Sequence, residues 1–336
     1  MRQSGHRSAK VIRWALVVFA VITGAELVQC SAPTGPSYPH VAVLYDLDST
    51  LVRGGRISLT NTSRSFYREY PDYYDFLAVY TLEHVTAVEA MRKDFADYLT
   101  VRNDVSGIGF SPTYDLGEYM GSKERLQGVI FMNALWEYYD PQTRTILPRL
   151  SWILAHETGH RFGAYVWADS AGIASQCLLD NFAAHWTLAM HTGGSPMGGF
   201  DWRDNGDGTF TAMARWTGLY SMLDLYLMGL ARPEEVGPIT MLSLNPKPDS
   251  VALGTTLPAT TWTAHVEDII AVEGPRIPPF GEAPTTWRTA FVLVVPNSKS
   301  ATYEAISGLD AIRSYWSVRF SELTRGRGHM MTEMLP

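Results

Sequence analysis

The stretch Leu154-Ala155-His156-Glu157-Thr158-Gly159-His160 carries the pattern HExxH inside an apolar run of helical period, about residues 149–165, preceded by Pro148. Spacing of i and i+4 places His156 and His160 on one helix face, where two imidazoles can share a cation. Glu157 stands beside them, positioned to accept a proton from a water on that cation. The competing reading makes both histidines ordinary core residues. It would bury two imidazoles and a carboxylate without partners on a largely apolar helix, at a cost of several kcal/mol. Gly159 favours the metal reading. Glycine inside a helix costs about 1 kcal/mol against alanine, so its place here predicts the close approach of another backbone or of a ligand-bearing segment.

On these residues the chain resembles the zincin metallopeptidases. The resemblance implies an α+β fold in which a mixed sheet packs on the HExxH helix and on a second, ligand-bearing helix. It implies Zn2+ as the cofactor, Glu157 as the general base, and a peptide or protein substrate received by an edge strand that precedes the HExxH helix. Residues 128–132, the last apolar strand pattern before the helix, are the matching candidate edge, and loop 121–127 would line the cleft. The wider chain is similar to uncharacterised secreted bacterial proteins with this motif. That likeness runs through Tyr73-Tyr74-Asp75-Phe76-Leu77, Val101-Arg102-Asn103-Asp104, Gly107-Ile108-Gly109, His156-Glu157-Thr158-Gly159-His160-Arg161-Phe162 and Leu223-Asp224-Leu225-Tyr226-Leu227-Met228-Gly229-Leu230.

The third ligand is open between two residues. The metzincin pattern HExxHxxGxxH has its glycine at Gly163, but Val166 stands where its last histidine belongs. A thermolysin-like glutamate is also missing, because the next helical pattern, about residues 175–191, contains no Glu. It carries His185 on one stripe with Leu178 and Phe182, so His185 is the preferred third ligand. Asp180 would orient a ligand from behind or favour the start of that helix by its charge. The alternative is Asp224, whose apolar neighbours make an unpaired carboxylate expensive. Ser221-Met222-Leu223-Asp224 also reads as a capping box. Tyr220 and Tyr226 flank Asp224 and offer a phenol for an oxyanion, or simple aromatic packing.

Outward from the motif, the apolar runs 41–45, 76–80, 128–132 and 290–295 read as strands, and residues 221–230 and 309–322 as helices. Asp204-Asn205-Gly206-Asp207-Gly208 reads as a hairpin turn, since its acid spacing misses the EF-hand pattern. Hydrophobic residues make up 46% of the 336, which excludes a disordered chain, and two cysteines exclude a disulfide scaffold. A formal charge of −7 argues against nucleic acid as a partner.

The N-terminus sets the compartment. Arg2, Arg7, Lys10 and Arg13 precede an apolar run of twelve residues, 14–25, short of the roughly 20 that span a bilayer. Residues 1–25 therefore read as a signal peptide. Alternatively Leu27-Val28-Gln29-Cys30 is a lipobox, the leader is 1–29 and Cys30 carries a lipid anchor; an uncleaved anchor is the third option. All three give a secreted or cell-envelope protein. The expected division is a linker over 26–39, a zincin-like catalytic domain over 40–245, and a C-terminal extension over 246–336 packed on the core. The expected function is a zinc metallopeptidase. Its rivals are an inactive envelope protein that keeps the scaffold for binding or structure, and a glycan-binding domain suggested by ten tryptophans.

Overall fold

Along the apolar runs, alternate residues enter two different cores, which explains the layers. The computed structural model describes residues 40–89, 96–110 and 113–335; the expected leader, the linker and Cys30 lie outside them. Strands β1 (Ala42–Asp46), β2 (Phe76–Thr81), β3 (Asp97–Thr100), β4 (Gly128–Ala134), β5 (Thr286–Pro296) and β6 (His329–Met331) form one sheet in the order β1-β5-β2-β4-β3, with β6 also paired to β5. The first four in that order run parallel, and β3 is antiparallel to β4. Along β5, Ala290, Val292 and Val294 enter one apolar cluster while Phe291, Leu293 and Val295 enter another, the two-residue period of a strand. A strand buried on both faces needs apolar side chains at nearly every position, and β5, β2 and β4 have them.

Helices cover both faces. Helix α1 (Leu59–Glu69) packs Leu59 and Phe66 on one side. On the other lie α2 (Arg149–Gly159), through Leu150, Ile153 and Leu154, α3 (Met222–Met228), and α4 (Tyr303–Leu323), through Leu309, Ile312, Trp316 and Phe320. A second mixed sheet joins Thr256–Pro258, Thr209–Ala214, Gly198–Asp204, Trp186–His191, Ile239–Leu242 and Thr261–Ala264 in that order. The architecture is α+β. Among the described residues, no helix is long and apolar enough to cross a membrane.

Four expectations need correction. Residues 128–134 are not the edge: β4 lies between β2 and β3, and Asp97–Thr100 holds the outer position. The pattern agrees, since β4 is buried at every residue and β3 is half-buried throughout. Residues 246–336 are not an add-on, because β5 lies between β1 and β2 in the main sheet. The run 175–191 is not a helix. Asp180 accepts hydrogen bonds from the Phe182 and Ala184 amides, which draws residues 180–185 into a turn, and Trp186–His191 then pairs in the second sheet. Side-chain bonding to the local backbone and sheet pairing together override helix propensity here. Finally, α2 stops at Gly159, six residues before the expected end.

Candidate metal centre

Two structural blocks deliver the histidines. Helix α2 presents His156 and His160 one turn apart, and the 180–185 turn presents His185 from the entrance of the second sheet. The His185 ring stacks at 4.9 Å on His156 and lies edge-on at 5.1 Å from His160. Among the described residues, these three form the group whose donor atoms fall close enough for one ion, all within 4.8 Å of one another.

Each ring has an orienting partner at Nδ1. His156 Nδ1 donates to the Pro196 carbonyl at 2.7 Å. His185 Nδ1 meets Asp180 Oδ2 at 2.9 Å, and His160 Nδ1 meets the Tyr165 hydroxyl at 3.1 Å. An acceptor at Nδ1 leaves the lone pair on Nε2. The Nε2 atoms of His156 and His160 lie 3.1 Å apart. Two nitrogens bound tetrahedrally at about 2.0–2.1 Å from one ion would be about 3.3 Å apart, so the pair has the spacing of a shared ligand site. The donor set fits zinc: three imidazoles suit it, and three ligands leave a fourth position open.

At Gly159 the close neighbour is a side chain, not the backbone or ligand-bearing segment expected. A Cβ there would lie 2.2 Å from Met197 Sδ, so the glycine admits the loop Ser195-Pro196-Met197 whose carbonyl holds His156. Asp224 is not in the cluster. Its carboxylate accepts from Trp186 Nε1 at 2.7 Å, Ser195 Oγ at 2.6 Å, and both the amide and hydroxyl of Ser221. Burial raises its pKa, against those hydrogen bonds. The capping box at Ser221 is present, and the same carboxylate ties down both Trp186, next to His185, and Ser195, next to Pro196.

Glu157 is 6% exposed on α2, close enough that its charge raises the pKa values of Tyr138 and Tyr165, although burial is the larger cause for both. Burial also raises the Asp180 pKa, but bonds from His185 and two backbone amides outweigh it and hold the carboxyl below its ordinary range. Tyr220 and Tyr226 serve packing and backbone bonding: Tyr220 donates to the Ala155 carbonyl at 2.5 Å, and the Tyr226 oxygen accepts from the Arg276 amide. Sequence reasoning missed Tyr165 and Pro196, which no spacing pattern marks. Two exposed aromatics flank the cluster, Trp152 with its ring 5.8 Å from His156, and Phe182 in the His185 turn. A cavity of about 510 Å³ opens elsewhere, where β1, β2 and β5 end, lined by Ser49, Thr81, His84 and Asn297 among others and by none of the three histidines.

Comparison with known proteins returns no match, whether to protein-family models, to curated proteins or to solved structures.

Proposed function

We propose that this chain is a secreted or envelope-anchored zinc-dependent peptidase with a zincin-like core. The observation that carries the reading is the convergence of His156, His160 and His185, each with its Nδ1 engaged by a separate oxygen. Such outer partners are a regular companion of metal-bound histidine. Zinc held there would acidify a water and polarise a carbonyl. Glu157, next to His156 and shielded from solvent, takes a proton from the attacking water and returns it to the departing amine. The sheet supplies a place for the substrate. Strand β3 is terminal in its sheet and touches α2, and an extended peptide binds such an edge by adding a strand. The basic and apolar N-terminal sequence supports export.

Metal analysis and peptide turnover test this together. The purified protein is expected to hold about one zinc per chain, lost on chelation and lost in His156→Ala or His160→Ala. Glu157→Gln keeps the metal while hydrolysis falls at least 10²–10⁴-fold, the typical worth of a general base. Full zinc in the His156→Ala/His160→Ala double variant overturns the site. A zinc-loaded wild type that cleaves no member of a diverse peptide library favours the inactive binding scaffold.

A further inference from the structure

We infer that Tyr165 is the positioning residue for His160, locking its imidazole with the proton on Nδ1 so that Nε2 faces the shared site. The consequence for metal affinity rests on the zinc reading above; the tautomer rests on the geometry alone.

Helix α2 ends at Gly159 with His160 as its C-cap, and the carbonyls of Thr158 and Gly159 accept from the amides of residues 161–163. The Tyr165 hydroxyl lies 3.1 Å from the His160 carbonyl oxygen and 3.1 Å from His160 Nδ1. A phenol has one proton to give, and a carbonyl can only accept. With that proton given to the carbonyl, the hydroxyl presents a lone pair to the ring. Nδ1 must then bring its own hydrogen, which leaves Nε2 as the basic nitrogen. That nitrogen is the one 3.1 Å from His156 Nε2.

The phenol is itself held in place. Its ring packs on Phe110, with centroids 4.2 Å apart. Gly109 lets the loop come close enough that a Cβ there would lie 2.4 Å from the Tyr165 carbonyl group. His185 is oriented by a carboxylate and His156 by a fixed backbone carbonyl, whereas the acceptor on His160 is a neutral hydroxyl whose direction is set by its second bond. One side chain thus closes the helix end and selects the tautomer of a ligand.

Tyr165→Phe removes only the hydroxyl and keeps the contact with Phe110. Histidine ring ¹⁵N shifts of the metal-free protein, above the pH at which imidazoles protonate, are expected to show His160 protonated at Nδ1 in the wild type and shifted toward Nε2–H in the variant. Zinc affinity, measured by competition with a chelator, is expected to fall about 10–100-fold. Tyr220→Phe is the control: it also deletes a buried phenol bonded to α2, but at the Ala155 backbone carbonyl. It should lower stability and leave both the tautomer and the zinc affinity unchanged. An unchanged tautomer in Tyr165→Phe, or equal losses of affinity in the two variants, overturns the inference. A wild type that takes up no zinc defeats the metal reading instead, and the tautomer measurement still decides the role of Tyr165.

Discussion

At Gly159 the helix and the loop above it meet, and the pair Gly159–Met197 makes the contact testable. Gly159→Ala alone is expected to destabilise by about 1–3 kcal/mol, because the added methyl must displace the Met197 sulfur. In a Met197→Ala background the obstruction is gone, and the better helix propensity of alanine should make the same change neutral or stabilising by up to about 1 kcal/mol. Urea melts of the four proteins in this cycle check the change of sign; additive effects would mean that the contact does not govern the position. The motif itself was readable because i, i+4 spacing is a direct statement about one helix face. His185 was singled out for lying on an apolar stripe, yet it reaches the other two from a turn. Asp224 was suspected for the right reason, a carboxylate among apolar neighbours, but its partners are Trp186, Ser195 and Ser221. A carboxylate satisfied by donors as distant as Trp186 and Ser195 looks the same in sequence as one waiting for a metal.

Among the elements, α1 shows how a distant acid finishes a helix. Ser58 caps it through the Asn61 amide, and Glu89 accepts from the Leu59 and Thr60 amides and from the Ser58 hydroxyl at 3.0–3.1 Å. Burial raises the Glu89 pKa, and those bonds more than offset it, so the carboxyl sits below its ordinary range. A depressed carboxyl stabilises the fold fully above the unfolded value, about 4.3, and that contribution is lost as pH falls through the folded value. Glu89→Gln is therefore expected to cost about 1 kcal/mol near neutral pH, with the gap to wild type narrowing toward pH 3. Denaturant midpoints at the two pH values check it, and a constant gap would remove the charge from the account. Element identity was legible where an unbroken apolar run persisted, as in β2 and β4, or the helical period did, as in α2. It failed at residues 175–191, where an alanine- and leucine-rich segment has helix propensity but Asp180 bonds its own backbone and the following residues find sheet partners.

For the molecule as a whole, the decisive placement is β5 in the middle of the main sheet. Strand identity for residues 290–295 was plain from their apolar run, but position within the sheet was not, because pairing order is set by three-dimensional neighbours that no local period records. A chain ending at residue 245 would leave β1 and β2 without the strand between them and expose the helix side of the core where α4 packs. Such a chain is expected to lack cooperative thermal unfolding and near-ultraviolet circular dichroism; a sharp transition would restore the picture of a self-sufficient domain over 40–245.

The same placement gives the chain an order of events. A ribosome releases the HExxH helix and the His185 turn long before it makes residues 286–296, and until then β1 lacks the strand that joins it to β2, β4 and β3. Long-range pairing of this kind is slow, so the main sheet can close only once nearly the whole chain has been made. A strand made late is thus the clasp that fastens the first strand to the rest of the sheet.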